Sequence, residues 1–142
     1  MKSERKRIVL DTSVLISAMI APGSVPGRAL AKANREFVVL ISDETLTELL
    51  DVVLRPKFDR YFRPGGVTRT QFLAFYSTHA FRIEVTEQVT DCIDAKDNKF
   101  LSLAVSGKAD VLVSGDKKHL LSMHPFRGVR IINAADFLLA EN

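Results

Sequence analysis

The sequence has 142 residues, of which 46% are hydrophobic and 26% are charged. This amount of apolar material can bury a core, which argues against a disordered protein and favours a single domain over residues 1–142. The 20 Lys and Arg residues exceed the 17 Asp and Glu residues, and the net charge of +3 permits a nucleic acid as partner without requiring one.

Cysteine usage and apolar runs bear on the compartment and on the kind of metal. The single cysteine, Cys92, cannot form an intramolecular disulfide, and no Cys and His spacing of a zinc site is present. A bound metal is therefore expected on oxygen ligands. The apolar stretch at 14–21 is far shorter than the ~20 residues that span a membrane. We expect a cytoplasmic protein without a membrane partner.

Short runs rich in Val, Ile and Leu predict buried parallel strands. They occur at 8–10, 37–41, 111–113 and 129–132. Segments with helical spacing lie between them, around 46–53, 72–76 and 100–104. Alternating strands and helices are typical of an α/β layered domain.

Proline and glycine mark the predicted breaks between these elements. Pro22-Gly23 and Pro26-Gly27 bracket a predicted loop, and Pro56 predicts the end of the helix before it. The helical segments between Asp43 and Ala80 follow one another without a strand. We therefore predict a helical insertion that projects from one edge of the sheet.

Three aspartates are predicted to meet at one edge of the sheet. Asp11 follows the strand at 8–10, and Asp116 follows the strand at 111–113, at the strand ends where open α/β sheets place their ligands. Asp97 lies three, four and seven positions before apolar residues that share one helix face, namely Phe100, Leu101 and Ala104. Its carboxylate is therefore expected to point toward the sheet, where a charge needs compensation.

Each of these acids also has an ordinary structural interpretation as a helix cap. Asp11 or Thr12, Asp94 and Asp116 all stand where an N-cap is expected, and for any one of them alone capping is the better interpretation. Together they favour a cation, because carboxylates ~5 Å apart repel by roughly 3 kcal/mol at an effective dielectric near 20. Oxygen ligands without thiol or imidazole partners predict Mg²⁺ or Mn²⁺.

Two other residue types receive less support from spacing. Glu48 lies opposite the predicted apolar stripe of its helix, so periodicity alone predicts an exposed side chain; the stripe is Leu46, Leu49, Leu50 and Val53. The three histidines, His79, His119 and His124, show no ligand spacing, and no chemistry is assigned to them.

Four blocks occur in order: IVLDTSVLIS at 8–17, LISDETLTELLDVVLRPKF at 40–58, DAKDNKFLSLAVSGKADVLVSGD at 94–116 and HLL at 119–121. They resemble the PIN-domain nucleases, and within them the VapC-type toxin components of toxin-antitoxin systems. The resemblance implies a three-layer α/β/α fold with a central parallel sheet. It also implies a metal-dependent endoribonuclease that hydrolyses RNA phosphodiester bonds, with a cognate antitoxin as a partner and a homodimer as its assembly.

The resemblance also assigns roles to individual residues. The catalytic and metal-binding acids of the family fall on Asp11, Glu48, Asp97 and Asp116, which would hold one or two Mg²⁺ or Mn²⁺ ions. Glu48 enters this set only through the resemblance. Polar positions beside the site, which orient phosphate or bound water, fall on Thr12, Ser13, Asn98 and Ser114. Asp94 is an additional acid that either joins the metal site or caps its helix, and capping is slightly favoured.

Cations and aromatic residues provide candidate contacts with partners. An acidic cleft needs flanking positive charge to bind RNA, and Lys117, Lys118 and Arg55 are the candidates, although such charges most often only solvate a surface. A dense aromatic set predicts packing between helices or, alternatively, an exposed partner surface; its members are Tyr61, Phe62, Phe72, Phe75 and Tyr76.

Three rival functions are compatible with parts of the pattern. The first is a catalytically silent PIN-like module that binds RNA or a partner protein. The second is a flap-nuclease-like DNase with the same metal chemistry. The third is a phosphoryl-transfer domain with Asp11 as the nucleophile, which is disfavoured because Ser13 stands where the related phosphatases have a second aspartate.

Overall fold

The computed structural model describes residues 5–62, 68–116 and 118–140. Its centre is a parallel sheet of five strands in the order β3-β2-β1-β4-β5. The strands are β1 Arg7–Leu10, β2 Val38–Ile41, β3 Phe81–Arg82, β4 Val111–Val113 and β5 Arg130–Ile132. All four predicted strands are present, and β1 lies in the middle of the sheet.

Helices cover both faces of this sheet. They are α1 Thr12–Ile20, α2 Val25–Glu36, α3 Asp43–Val53, α4 Arg69–His79, α5 Asn98–Ser106 and α6 Ala134–Leu139. Alternate strand residues enter two separate cores: Ile8 and Leu10 pack with α1–α4 and α6, whereas Val9 packs with α5. Strands buried on both faces are apolar at every position, which explains the uninterrupted runs in the sequence. The predicted three-layer α/β/α fold is confirmed.

The predicted loop is present at 21–24, but its predicted end at Pro26-Gly27 is wrong, because α2 begins at Val25 and both residues lie in its first turn. The Ser24 side chain caps this helix by accepting a hydrogen bond from the Gly27 N–H, and proline is tolerated in a first turn because its nitrogen needs no helical partner. A Cβ atom on Gly27 would lie 2.1 Å from the Pro22 carbonyl oxygen. Only glycine fits this close approach between the first turn of α2 and the loop before it.

The described residues between Asp43 and Ala80, which are 43–62 and 68–80, form no strand, as predicted. They contain α3, a 3₁₀ turn at Pro56–Tyr61 and α4, and they lead directly into β3. The sequence analysis missed β3, which has only two residues and pairs with the end of β2 through Leu40 and Phe81. A strand this short has no recognisable hydrophobic pattern.

The aromatic set of the helical stretch divides between the two interpretations. Tyr76 is buried, and Phe62 and Phe72 pack partly against the core. Phe75 is 55% exposed and Tyr61 is 42% exposed. Some members therefore stabilise helix packing, and others remain accessible to a partner.

Helix α6 is attached to α2 by a buried lysine that the sequence analysis did not identify. The Lys32 ammonium donates hydrogen bonds to the carbonyl oxygens of Phe137 and Ala140, at 2.7 and 2.9 Å. It also lies 4.5 Å from the centre of the Phe137 ring. These carbonyls lie at the end of α6, where carbonyl groups run short of helical donors, so Lys32 supplies them with a charged donor.

Across residues 5–62, 68–116 and 118–140, no single helix has the length and apolar character needed to span a membrane. Only α1 and α2 taken together, across a bend of 106°, meet those criteria of length and composition.

Candidate active site

Asp11 stands at the end of β1 and caps α1. Its Oδ1 accepts hydrogen bonds from the Val14 N–H at 3.0 Å and from the Ser13 hydroxyl at 2.9 Å. Its Oδ2 accepts one from the Ser114 hydroxyl at 2.5 Å. Burial raises the pKa of Asp11, against the opposing effect of these hydrogen bonds, of which that of Ser114 is the largest. Asp11 is thus both a helix cap and a buried carboxylate at the end of the sheet.

Asp116 is connected to Asp11 through Ser114. The Ser114 hydroxyl, fully buried, also accepts a hydrogen bond from the Asp116 N–H at 2.9 Å. Desolvation acts to raise the pKa of Asp116, but hydrogen bonds with Asp97 and His119 outweigh it, and the pKa is lowered. The ends of β1 and β4 therefore present two carboxylates that share one hydroxyl group.

His119 contacts both oxygens of Asp116, although the sequence analysis assigned it no chemistry. The backbone N–H of His119 donates to Asp116 Oδ1 at 3.2 Å, and the imidazole Nδ1 lies 3.0 Å from Asp116 Oδ2. The same Nδ1 lies 3.9 Å from Oδ2 of Asp97. The structure corrects the earlier interpretation, and the spacing of three residues between Asp116 and His119 was the one local signal for this contact.

Asp97 lines the same cleft as Asp11 and Asp116, and it reaches that cleft from the start of α5. It ends a 3₁₀ turn and precedes α5, but its side chain makes no capping hydrogen bond. Within the described part of the chain, its buried Oδ2 has no hydrogen-bond partner. Burial, then Asp116, and then the charges of Asp94 and Asp11 raise the pKa of Asp97 to about 7. Asp97 is therefore a partly buried acid whose charged form is disfavoured by its acidic neighbours.

Asp94 performs the capping role that the sequence favoured and also lies at the cleft. Its Oδ1 accepts a hydrogen bond from the Lys96 N–H at 3.1 Å. One ligand atom from each of Asp94, Asp97 and His119 lies within 4.8 Å of the others. The two alternatives for Asp94 are thus compatible with each other.

Glu48 lines the cleft from α3, but its carboxylate is already paired. The buried face of α3 carries Thr45, Leu49 and Val53, whereas Leu50, predicted for the apolar stripe, is 42% exposed. This rotation of the helix brings Glu48 inward. Its Oε1 lies 2.7 Å from the Lys99 ammonium, and its Oε2 accepts a hydrogen bond from the Thr12 hydroxyl at 2.5 Å.

All these acids line one open cleft of about 690 Å³. Its walls include Asp11, Thr12, Ser13, Glu48, Asp51, Arg55, Asp94, Lys96, Asp97, Phe100 and Asp116. Four separated segments contribute to it, as expected for a site at the carboxyl ends of parallel strands.

A model of the PIN-domain family matches residues 7–118, a span that contains every one of the acids described above. The chain belongs to the PIN-domain family. The uncharacterized protein MJ1680 of Methanocaldococcus jannaschii is 33% identical over 119 residues, which cover 82% of this chain and 75% of that protein.

Two solved structures share the fold of this PIN domain. VapBC2 from Rickettsia felis, solved bound to a DNA fragment from its promoter, has a TM-score of 0.61 at 16% identity and covers 89% of this chain and 98% of the other. PAE2754 from Pyrobaculum aerophilum has a TM-score of 0.59 at 18% identity and covers 94% of this chain and 88% of the other. At these identities the likeness concerns the fold alone.

The predicted polar residues of the PIN site fall into two groups. Thr12, Ser13 and Ser114 donate their hydroxyl hydrogens to Glu48 or Asp11. The Asn98 side-chain oxygen instead accepts a hydrogen bond from the Cys92 N–H at 2.9 Å. Asn98 therefore positions the segment that leads to Asp94, while the hydroxyls orient the carboxylates.

The predicted RNA-binding cations differ in their surroundings. Arg55 lines the cleft, and its guanidinium lies 3.1 Å from the carboxylate of Asp51, which precedes it by four residues. Lys118 is exposed, and Lys117 lies outside the described residues. Of the two predicted cations that the structure describes, Arg55 is the one placed at the wall of the acidic cleft.

The donor set of the PIN site fits a divalent cation. Asp11, Asp97 and Asp116 supply oxygen atoms from three segments, and the buried Oδ2 of Asp97 still lacks a partner within the described residues. Hard oxygen ligands suit Mg²⁺ and Mn²⁺. The His119 imidazole adds a nitrogen beside them, a donor that Mn²⁺ accepts more readily than Mg²⁺ does.

Proposed function

We propose that this PIN domain is a metal-dependent endoribonuclease that hydrolyses phosphodiester bonds in RNA and acts as a toxin of VapC type. The observation that carries the proposal is the convergence of Asp11, Asp97 and Asp116 in one cleft, where the buried Oδ2 of Asp97 accepts no hydrogen bond from the described residues. Aspartates crowded in this way require a cation, and oxygen ligands favour Mg²⁺ or Mn²⁺.

Asp11, Asp97 and Asp116 would hold a divalent ion, whose chemistry there would be to activate water and to stabilise charge on the phosphate oxygens. The chain's own contribution is to hold the ligands in place before the substrate arrives. Ser13, Ser114 and the Val14 N–H fix both oxygens of Asp11. His119 fixes both oxygens of Asp116. Carboxylates oriented by such contacts need little rearrangement when the ion and the phosphate bind.

RNA would approach across the positively charged rim of the cleft. Arg55 and Lys118, with Lys117 beside it in the chain, would contact the phosphate backbone. Such contacts hold the strand without reading its sequence.

Partner proteins are part of the same proposal. We infer a cognate antitoxin and a second copy of the chain as partners in the cytoplasm, supported by the fold shared with the VapBC2 structure. Large apolar side chains remain exposed on or near α3 and α4, where Leu54 is 62% and Phe75 is 55% exposed. Exposed apolar side chains are typical of partner surfaces.

A cleavage assay tests the nuclease. The wild type and Asp11→Asn would be incubated with single-stranded RNA and, separately, DNA, in Mn²⁺, Mg²⁺ or EDTA. We expect RNA cleavage by the wild type in metal, and only the EDTA background from Asp11→Asn, because the change removes a charged ligand but little volume. Asp136→Asn, on the exposed side of α6, is the matched control and should retain activity.

The alternatives give different results in the same assay. Metal-dependent cleavage of DNA but not RNA would assign a DNase. Metal binding without cleavage of either nucleic acid would assign a silent binding module. Full activity of correctly folded Asp11→Asn would exclude Asp11 from the catalytic set.

A further inference from the structure

Lys99 places an ammonium group against Glu48, one of the acids that line the cleft. Its side chain is only 12% exposed, and its Nζ lies 2.7 Å from Glu48 Oε1 and 2.6 Å from the Lys96 carbonyl oxygen. Lys99 stands two residues after Asp97, in the first turn of α5. The chain therefore carries a cation of its own next to the residues that we propose as metal ligands.

The second oxygen of Glu48 is also engaged. The Thr12 hydroxyl donates a hydrogen bond to Oε2 at 2.5 Å, and Thr12 is itself buried at the start of α1. One oxygen thus faces an ammonium from α5, and the other faces a hydroxyl from α1. The carboxylate of Glu48 has its charge and its hydrogen bonds satisfied by the protein alone.

The aspartates on the other side of the cleft are in the opposite condition. Asp97 experiences the negative charges of Asp116, Asp94 and Asp11, and its buried Oδ2 has no hydrogen-bond partner in the described residues. Among the described residues, the cleft therefore contains one acid paired with a lysine ammonium and a group of aspartates that faces the His119 imidazole. An added cation gains most among the aspartates and is repelled from the vicinity of Lys99.

We propose that Lys99 is a resident cation that replaces a second metal ion beside Glu48, so that the site binds one divalent ion through its aspartates. This inference rests on the proposed function, since it concerns the metal content of that site. Lys99 is a positioning residue in this arrangement: it holds Glu48 between α1 and α5 and prevents the carboxylate from recruiting an ion of its own.

Counting bound Mn²⁺ tests the inference without any measurement of cleavage. Wild type, Lys99→Met, Lys96→Met and the double variant Lys99→Met with Glu48→Gln would be dialysed against saturating Mn²⁺, and metal and protein would then be quantified. Lys96→Met is the matched control. It removes an exposed ammonium three residues before Lys99 in the chain and leaves the Lys96 backbone carbonyl in place.

We expect one ion per chain in the wild type and in Lys96→Met, and two in Lys99→Met, where Glu48 becomes free to bind a second ion. The double variant should return to one ion, because it lacks both the ammonium and the carboxylate. Melting curves with and without Mn²⁺ would verify that each variant is folded.

Two ions in the wild type, or one ion in folded Lys99→Met, would overturn the inference and leave the proposed nuclease intact. The wild-type count decides the matter by itself if Lys99→Met fails to fold. A wild type that binds no Mn²⁺ would overturn the proposed function and, with it, the role of Lys99.

Discussion

Replacing Ser114 by alanine is the most informative single perturbation of this site. The Ser114 hydroxyl is fully buried and links two strand ends, since it donates to Asp11 Oδ2 at 2.5 Å and accepts from the Asp116 N–H at 2.9 Å. Alanine fits the same space but removes both hydrogen bonds. The buried carboxylate then loses a donor, and the backbone N–H of Asp116 loses its acceptor.

The expected magnitude follows from these two contacts. A hydrogen bond to a charged group contributes roughly 1.5–3 kcal/mol, and a buried polar group left without a partner costs about 1–3 kcal/mol. Because one hydroxyl serves both groups, we expect a combined loss of about 2–4 kcal/mol in the free energy of unfolding. We also expect Mn²⁺ affinity to fall by roughly 10- to 100-fold, as for other partners that orient metal ligands.

Urea unfolding in EDTA measures the first quantity, and calorimetric titration with Mn²⁺ measures the second. Ser13→Ala is the matched control, because its hydroxyl donates to the other oxygen of Asp11 but is exposed, so that water can replace it. Its unfolding free energy should change by less than about 1 kcal/mol. Equal losses in the two variants, or a Ser114→Ala protein as stable as the wild type, would refute the reasoning from burial.

Two further predictions concern stability. Lys32→Met should lower the free energy of unfolding by about 1–3 kcal/mol in a urea titration, because it removes the charged donor from the Phe137 and Ala140 carbonyls, whereas Lys57→Met at an exposed position should have little effect. In EDTA, the raised pKa of Asp97 means that its protonated form stabilises the fold; this contribution is complete below the ordinary value of 3.8 and is lost as the pH rises through about 7. Asp97→Asn should remove that loss, and an unchanged pH dependence of the melting temperature in the variant would contradict this account.

Local patterns in the sequence were enough to predict the layered fold and the strands β1, β2, β4 and β5. Strands buried on both faces must be apolar throughout, and that requirement is visible in each short run. The same local reasoning placed Asp11 and Asp116 at the ends of β1 and β4. Parallel strands end at the same edge of the sheet, so the proximity of these two aspartates followed from the fold class.

Contacts between distant segments were decided only by the tertiary structure. Strand β3 exists because two residues pair with β2, and the pairing has no signal in those residues themselves. Glu48 meets Lys99 across 51 positions of the chain, and Lys32 meets Phe137 across 105. Residue spacing within one helix or strand cannot report such distances.

The sequence alone therefore determined the α/β class and the aspartates that strand ends bring together, because these depend on periodicity and on the direction of the strands. The tertiary structure decided which of the acids is neutralised and which is not. Glu48 turns inward to an ammonium and a hydroxyl, whereas Asp97 is buried beside other carboxylates. The physical reason is that the charge state of a carboxylate depends on the groups packed around it, and those come from every layer of the fold.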